Sequence, residues 1–184
     1  IKSSDLLKII DSKKIMFRIA GGYDEDRKNR TNNFEYYENK GIYTRNELIN
    51  IVRTFEQIEK EITMDYSPIE LAYFIYNKLK RYITYSHHYH LDNHKEINSL
   101  LGILYRKTSS YGFGLIFKEM MDRRGVKCHF VEGNSMRYAW NMLEVGGRFY
   151  CLDLAYDSYL HHIGNKSDCY YFGVYKKEIF NSYH

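Results

Sequence analysis

Apolar residues recur at helical spacing twice in the first half of the chain. Leu48, Val52, Phe55, Ile58 and Ile62 form one stripe, which predicts an amphipathic helix over roughly 45–62. Thr44 stands just before it and Glu47 three residues on, a capping box in which each side chain satisfies the other's backbone N–H. Ser67, Pro68 and Glu70 repeat the start signal, and Leu71, Phe74, Ile75, Leu79 and Ile83 mark a second stripe running to about Tyr82. A third helical run begins at Ser110, through Phe113, Ile116, Phe117, Met120 and Met121, and stops at Arg123-Arg124-Gly125. Core packing is the reading of its Met and Phe positions.

The pattern then changes period. Val126 to Val131 reads as a strand, and two alternating segments flank Gly146-Gly147, the mark of a β-hairpin with a two-residue turn. That turn sets Val145 opposite Arg148, Met142 opposite Cys151 and Trp140 opposite Asp153. Alternation puts Tyr138, Trp140, Met142, Cys151 and Asp153 on one face, a carboxylate among aromatic rings. A last strand is expected near Tyr170–Tyr175. At the other end, Ile15-Met-Phe-Arg-Ile19 before Gly21-Gly22 reads as a strand and turn, and Asp24 to Asn33 as a polar loop. Asn98 to Arg106 reads as a short helix or turn, and Lys107 to Ser110 as a loop. The order of elements is α+β in a single domain over 1–184, with 1–66 a strand–loop–helix extension and 67–184 the main body.

Composition narrows the function classes. The 184 residues, 44% hydrophobic and 27% charged, suffice for one domain with a buried core. The net charge of +4 is scattered through small groups such as Arg27-Lys28-Arg30 and Lys78-Lys80-Arg81, a pattern of solvated faces rather than a nucleic-acid surface. The apolar runs are too short for a membrane span, so no membrane partner and a cytoplasmic home are expected. The chain starts at Ile1 rather than Met, which leaves an earlier segment open. Cys128, Cys151 and Cys169 are odd in number and lack metal-type spacing; each is expected to be structural. His87, His88 and His90 with Asp92 and His94 read as a polar loop, and no metal or cofactor is expected.

Taken together, Ser109-Ser-Tyr-Gly-Phe-Gly-Leu-Ile-Phe-Lys118, Tyr138-Ala-Trp-Asn141, Gly146-Gly147, Phe149-Tyr150 and Asp153 resemble the transglutaminase-like branch of the papain-like cysteine protease superfamily. The resemblance covers roughly residues 67–157 and implies helices packed on an antiparallel sheet, with a catalytic triad contributed by the helix start and the hairpin. In that family a cysteine opens the helix and a histidine precedes Ala-Trp-Asn. Ser110 and Tyr138 stand at those positions, and only Asp153 is retained. A cysteine at a helix start beside histidine becomes a thiolate near neutral pH, whereas a serine there needs a strong base that a phenol does not supply.

The resemblance therefore implies a domain without the Cys–His pair. It would bind a protein, peptide or small polar ligand through a cleft lined by Ser110, Tyr111, Tyr138, Trp140, Asn141 and Asp153. The alternative is a hydrolase or acyltransferase of peptidase or amidase type that uses Ser110, or a natural cysteine replaced there by serine, as nucleophile. A histidine from 87–94 or 161–162, both expected on loops, would then have to supply the base.

Overall fold

A computed structural model describes residues 43–86, 96–132, 138–164 and 169–174. The expected strand at 15–19, the loop at 24–33 and the histidine cluster at 87–94 lie outside the described residues. Both capping boxes form. Thr44 Oγ1 accepts the Glu47 N–H while the Glu47 carboxylate accepts the Thr44 N–H at 2.6 Å, opening helix α1 (Arg45–Glu59). Ser67 and Glu70 do the same for α2 (Pro68–Tyr82). Helix α1 ends three residues earlier than its apolar stripe, because Glu61 and Ile62 bond back only three residues, to the carbonyls of Ile58 and Glu59.

After α2 the chain pairs β1 (Thr84–Tyr85) in parallel with β2 (Lys107–Thr108), separated by the one-turn helix α3 (Gly102–Tyr105). The segment expected as a loop at 107–108 is therefore a short strand; a two-residue ladder has no alternation to read. Helix α4 (Ser110–Arg123) follows, capped by Ser109, whose hydroxyl accepts the Gly112 N–H and donates to Asn98 Oδ1 at 2.6 Å. Eleven of its 14 residues are buried, so α4 is a central helix with no solvated face. It packs against α2 and α5 as well as against strands β3 and β4 described below.

The main sheet is antiparallel throughout, in the order β3 (Cys128–Glu132), β4 (Ala139–Val145), β5 (Arg148–Leu152), β6 (Phe172–Val174). The hairpin register is as expected, with Val145 opposite Arg148 and Met142 opposite Cys151. Gly146 and Gly147 both take positive φ, 57° and 76°, which only glycine adopts cheaply in a two-residue turn. Two expectations are corrected here. Strand β5 ends at Leu152, so Asp153 is not a ladder partner of Trp140; it caps helix α5 (Leu154–His162) instead. His161 and His162 consequently lie in the last turn of a helix rather than on a loop. The buried side of α5 mixes Leu154 and Ala155 with Asp157 and Ser158, so it carries no apolar stripe for a sequence pattern to show.

One core joins these layers. Phe55 and Val52 of α1, Tyr76 and Leu79 of α2, Phe113 and Phe117 of α4 and Leu143 of β4 belong to a single buried cluster. Arg123 of α4 grips Glu59 of α1 through Nε at 2.7 Å and Nη2 at 2.9 Å. The fold is α+β, and the described part of the 1–66 segment shares the core of the rest. No helix of the described residues is long and apolar enough to cross a membrane.

Candidate functional site

The N-terminus of α4, the start of β4 and the β5–α5 junction meet. Ser110 is the first residue of α4, and its Oγ accepts the Ala139 N–H at 3.3 Å. Tyr138, just before β4, donates its hydroxyl to Asp153 Oδ1 at 2.8 Å. Asp153 caps α5 through the same oxygen, which accepts the Tyr156 N–H at 3.0 Å. The three positions expected to carry a triad are thus linked through the Tyr138–Ala139 dipeptide.

What those groups can do follows from their partners. Ser110 is 2% exposed, and the Ala139 amide is its side chain's one hydrogen-bond partner among the described residues. That contact is a donor to the oxygen, and among the described residues no base accepts the hydroxyl proton. The phenol of Tyr138 gives its hydrogen to a carboxylate, the part a histidine N–H plays in a Cys–His–Asp arrangement. Asp153 is 2% exposed, and its backbone is held as well: Tyr171 O accepts its N–H at 3.1 Å and its own carbonyl accepts the Tyr76 hydroxyl at 2.7 Å.

The other expected cleft residues divide. Tyr111 and Trp140 are half-buried, and the Tyr111 hydroxyl donates to Glu132 on β3. Glu132 pairs with Ala139 and Val131 with Trp140, so Tyr111 is anchored beside the Tyr138–Trp140 segment. Asn141 does not line a surface. It is 1% exposed, and its amide donates to the Gly114 carbonyl of α4 at 2.9 Å. The face of β4 turned to the core is Ala139, Asn141 and Leu143, whereas Trp140 and Met142 lie on the more accessible face. Asn141 is a tie between sheet and helix.

Further residues complete the junction. Asp157, one turn into α5, accepts the Tyr76 hydroxyl at 2.6 Å and the Tyr171 N–H at 3.0 Å on Oδ2, and the Tyr170 N–H at 3.1 Å on Oδ1. Burial holds the Asp157 carboxyl above its ordinary pKa despite those donors, and burial with the nearby Asp157 charge pushes the Tyr76 phenol well above 10. Tyr76 is fully buried. Its signal in the sequence was its position four residues after Ala72 on the Ile75–Leu79 side of α2, outside the stripe of aliphatic residues. Phe74, expected in that stripe, is only half-buried.

None of the described histidines or cysteines is bonded to Ser110. His161 and His162 end α5 about 12 Å along the helix axis from its Asp153 cap, at 1.5 Å per residue. His162 Nδ1 bonds the Ser158 carbonyl at 2.8 Å, and His129 Nε2 meets Glu144 at 2.9 Å. Cys128, Cys151 and Cys169 form no disulfide with one another. Burial pushes Cys128 up to about 12, the state of an unreactive core thiol. Among the described residues no group of three His, Cys, Asp or Glu could hold a metal ion. Compared with protein-family models and with curated proteins, the chain finds no match.

Proposed function

We propose that this chain is a degenerate transglutaminase-like domain that binds a protein, peptide or small polar ligand at the surface formed by Tyr111, Tyr138 and Trp140. One observation carries the reading: the carboxylate of Asp153 is engaged by a phenol at 2.8 Å, while among the described residues the Ser110 side chain bonds only a backbone amide. That arrangement is compatible with the layout of an acyl-transfer site in which, among the described residues, no group activates a nucleophile. Half-buried aromatic rings beside Glu132 suit an extended peptide or a compact polar ligand, with apolar area from the rings and hydrogen bonds at the rim.

Two experiments test it. Trp140 is the only tryptophan in the chain, so its emission reports on this surface alone. Titration with a library of short peptides should shift that emission saturably, and Tyr111→Ala should weaken the response. A fluorophosphonate probe should leave the chain unlabelled. Labelling at Ser110, lost in Ser110→Ala, would establish a serine hydrolase or acyltransferase instead. The double variant Ser110→Cys with Tyr138→His should gain a thiol that iodoacetamide alkylates near pH 6. An inert new thiol in a folded double variant would refute the correspondence of these positions to the family's triad.

A further inference from the structure

Away from that junction, the outer faces of α1 and α2 enclose a groove of about 890 Å³, closed at one side by Phe172 of β6. Its volume lies within the range of small-molecule sites. Its walls are ordered aromatic pairs: Tyr66 and Phe74 stack with centroids 5.7 Å apart, and Tyr73 meets Phe172 edge-on at 5.2 Å. Ile69 and Tyr73 are 39% and 41% exposed, a high exposure for side chains of that size on a helix.

The charges in the wall are not equivalent. Lys78 is paired with Glu61 across the groove. Glu70 is held in the capping box, where it accepts the Ser67 N–H at 2.9 Å, and those bonds keep its pKa below the usual carboxyl value. Arg81 remains. It makes no hydrogen bond or ion pair among the described residues, and Glu70, which offsets it in net charge, lies 11 residues or about 16 Å back along the helix, so the Arg81 end of the groove is locally cationic. One helical turn earlier, Asn77 accepts the Cys169 thiol hydrogen on Oδ1 at 3.3 Å, which leaves its NH₂ to donate. A cation with a planar fork beside an amide donor, at the end of an aromatic slot, is complementary to one carboxylate on a flat ring.

We propose that this groove is a binding site for a small aromatic monocarboxylate, its ring against the aromatic wall that Tyr73 and Phe74 contribute and its carboxylate on Arg81 and Asn77. The site is separate from the Ser110–Tyr138–Asp153 junction and does not depend on the function proposed for it. The full chain labelled with ¹⁵N is titrated with 2-naphthoate and with its neutral counterpart 2-naphthamide. Naphthoate should shift the amides of Tyr73, Asn77 and Arg81 saturably and bind about tenfold more tightly than the amide. Arg81→Gln, an exposed substitution, should abolish that preference, and Tyr138→Phe should leave it unchanged. Equal affinity for acid and amide, an unaltered preference in Arg81→Gln, or no saturable shifts up to about 1 mM would overturn the proposal. So would a concentration-dependent dimer that Tyr73→Glu disrupts, since a second copy would then be the occupant.

Discussion

Tyr138 donates its hydroxyl hydrogen to Asp153 Oδ1 at 2.8 Å, on a carboxylate that also caps helix α5. A phenol so placed is a structural donor to a buried acid. Tyr138→Phe removes the donor and leaves the rest of the ring, so the variant should lose about 1.5–3 kcal/mol, the range for a hydrogen bond to a charged group. Urea denaturation of the variant and the parent measures it. Equal midpoints would mean that solvent replaces the phenol at no cost, and that Tyr138 is free to turn toward a ligand.

A second prediction concerns Glu119. It is 2% exposed in the middle of α4, and neither carboxyl oxygen has a hydrogen-bond partner among the described residues. Burial raises its pKa to about 8, with Arg123 and Lys118 opposing the rise and Asp122 and Glu59 assisting it. Its unfolded value is about 4.3, so the folded state holds the extra proton between those limits. Stability therefore falls as pH rises across that window, by up to about 1.4 kcal/mol per pH unit, and levels off above pH 8. Asp157, also raised by burial, acts in the same sense. Glu119→Gln should flatten the curve between about pH 6 and 8 relative to the parent, as followed by urea midpoints. Parallel curves for variant and parent would mean that Glu119 is ionised in the fold.

Gly112 is required by close approach. A Cβ there would lie 1.8 Å from Thr108 Oγ1 and 2.8 Å from the Ile97 carbonyl. Thr108 cannot swing aside freely, since its hydroxyl donates to that same carbonyl at 2.7 Å. Gly112→Ala should cost about 1–3 kcal/mol by overpacking, measured as a lowered melting temperature. Retained stability would show that the β2–α4 junction relaxes.

The fourth prediction is a truncation. A chain beginning at Ser67 loses Leu48, Ile51, Val52 and Phe55, each fully buried, and strips Glu59 from the buried Arg123. At about 1.5–3 kcal/mol per buried side chain, the loss rivals the 5–15 kcal/mol that typically holds a domain together. Residues 67–184 alone should show poorly dispersed amide resonances. A cooperative unfolding transition for that piece would make α1 an accessory.

Local chemistry was legible wherever neighbours in sequence are neighbours in space. The capping boxes at Thr44 and Ser67 and the hairpin register around Gly146-Gly147 depend on bonds spanning a few residues, and the sequence shows them. The hairpin pattern already puts Tyr138 and Asp153 on one face, whereas Ser110 joins them only through the resemblance, because no periodicity brings together positions 28 apart. Asn141 and Tyr76 were misread or missed for a related reason. Their polar ends are satisfied by a helix carbonyl and by Asp153 and Asp157, partners that lie far along the chain. The parallel β1–β2 ladder and α5 lacked any pattern to read, one being too short and the other polar on its buried side.

Helix α4 is enclosed on every side, and this has a dynamic consequence. Its amides can exchange with solvent only when the surrounding layers open, so hydrogen exchange in Phe113–Met121 should track global unfolding. Ser110 is its first turn, and Asn141 and Ala139 are bonded directly to it. The surface proposed for binding, at Tyr111, Tyr138 and Trp140, is therefore attached to a helix that opens only with the layers around it. A ligand there would meet a backbone already in its bound shape, so little of the binding free energy would be lost to ordering the protein.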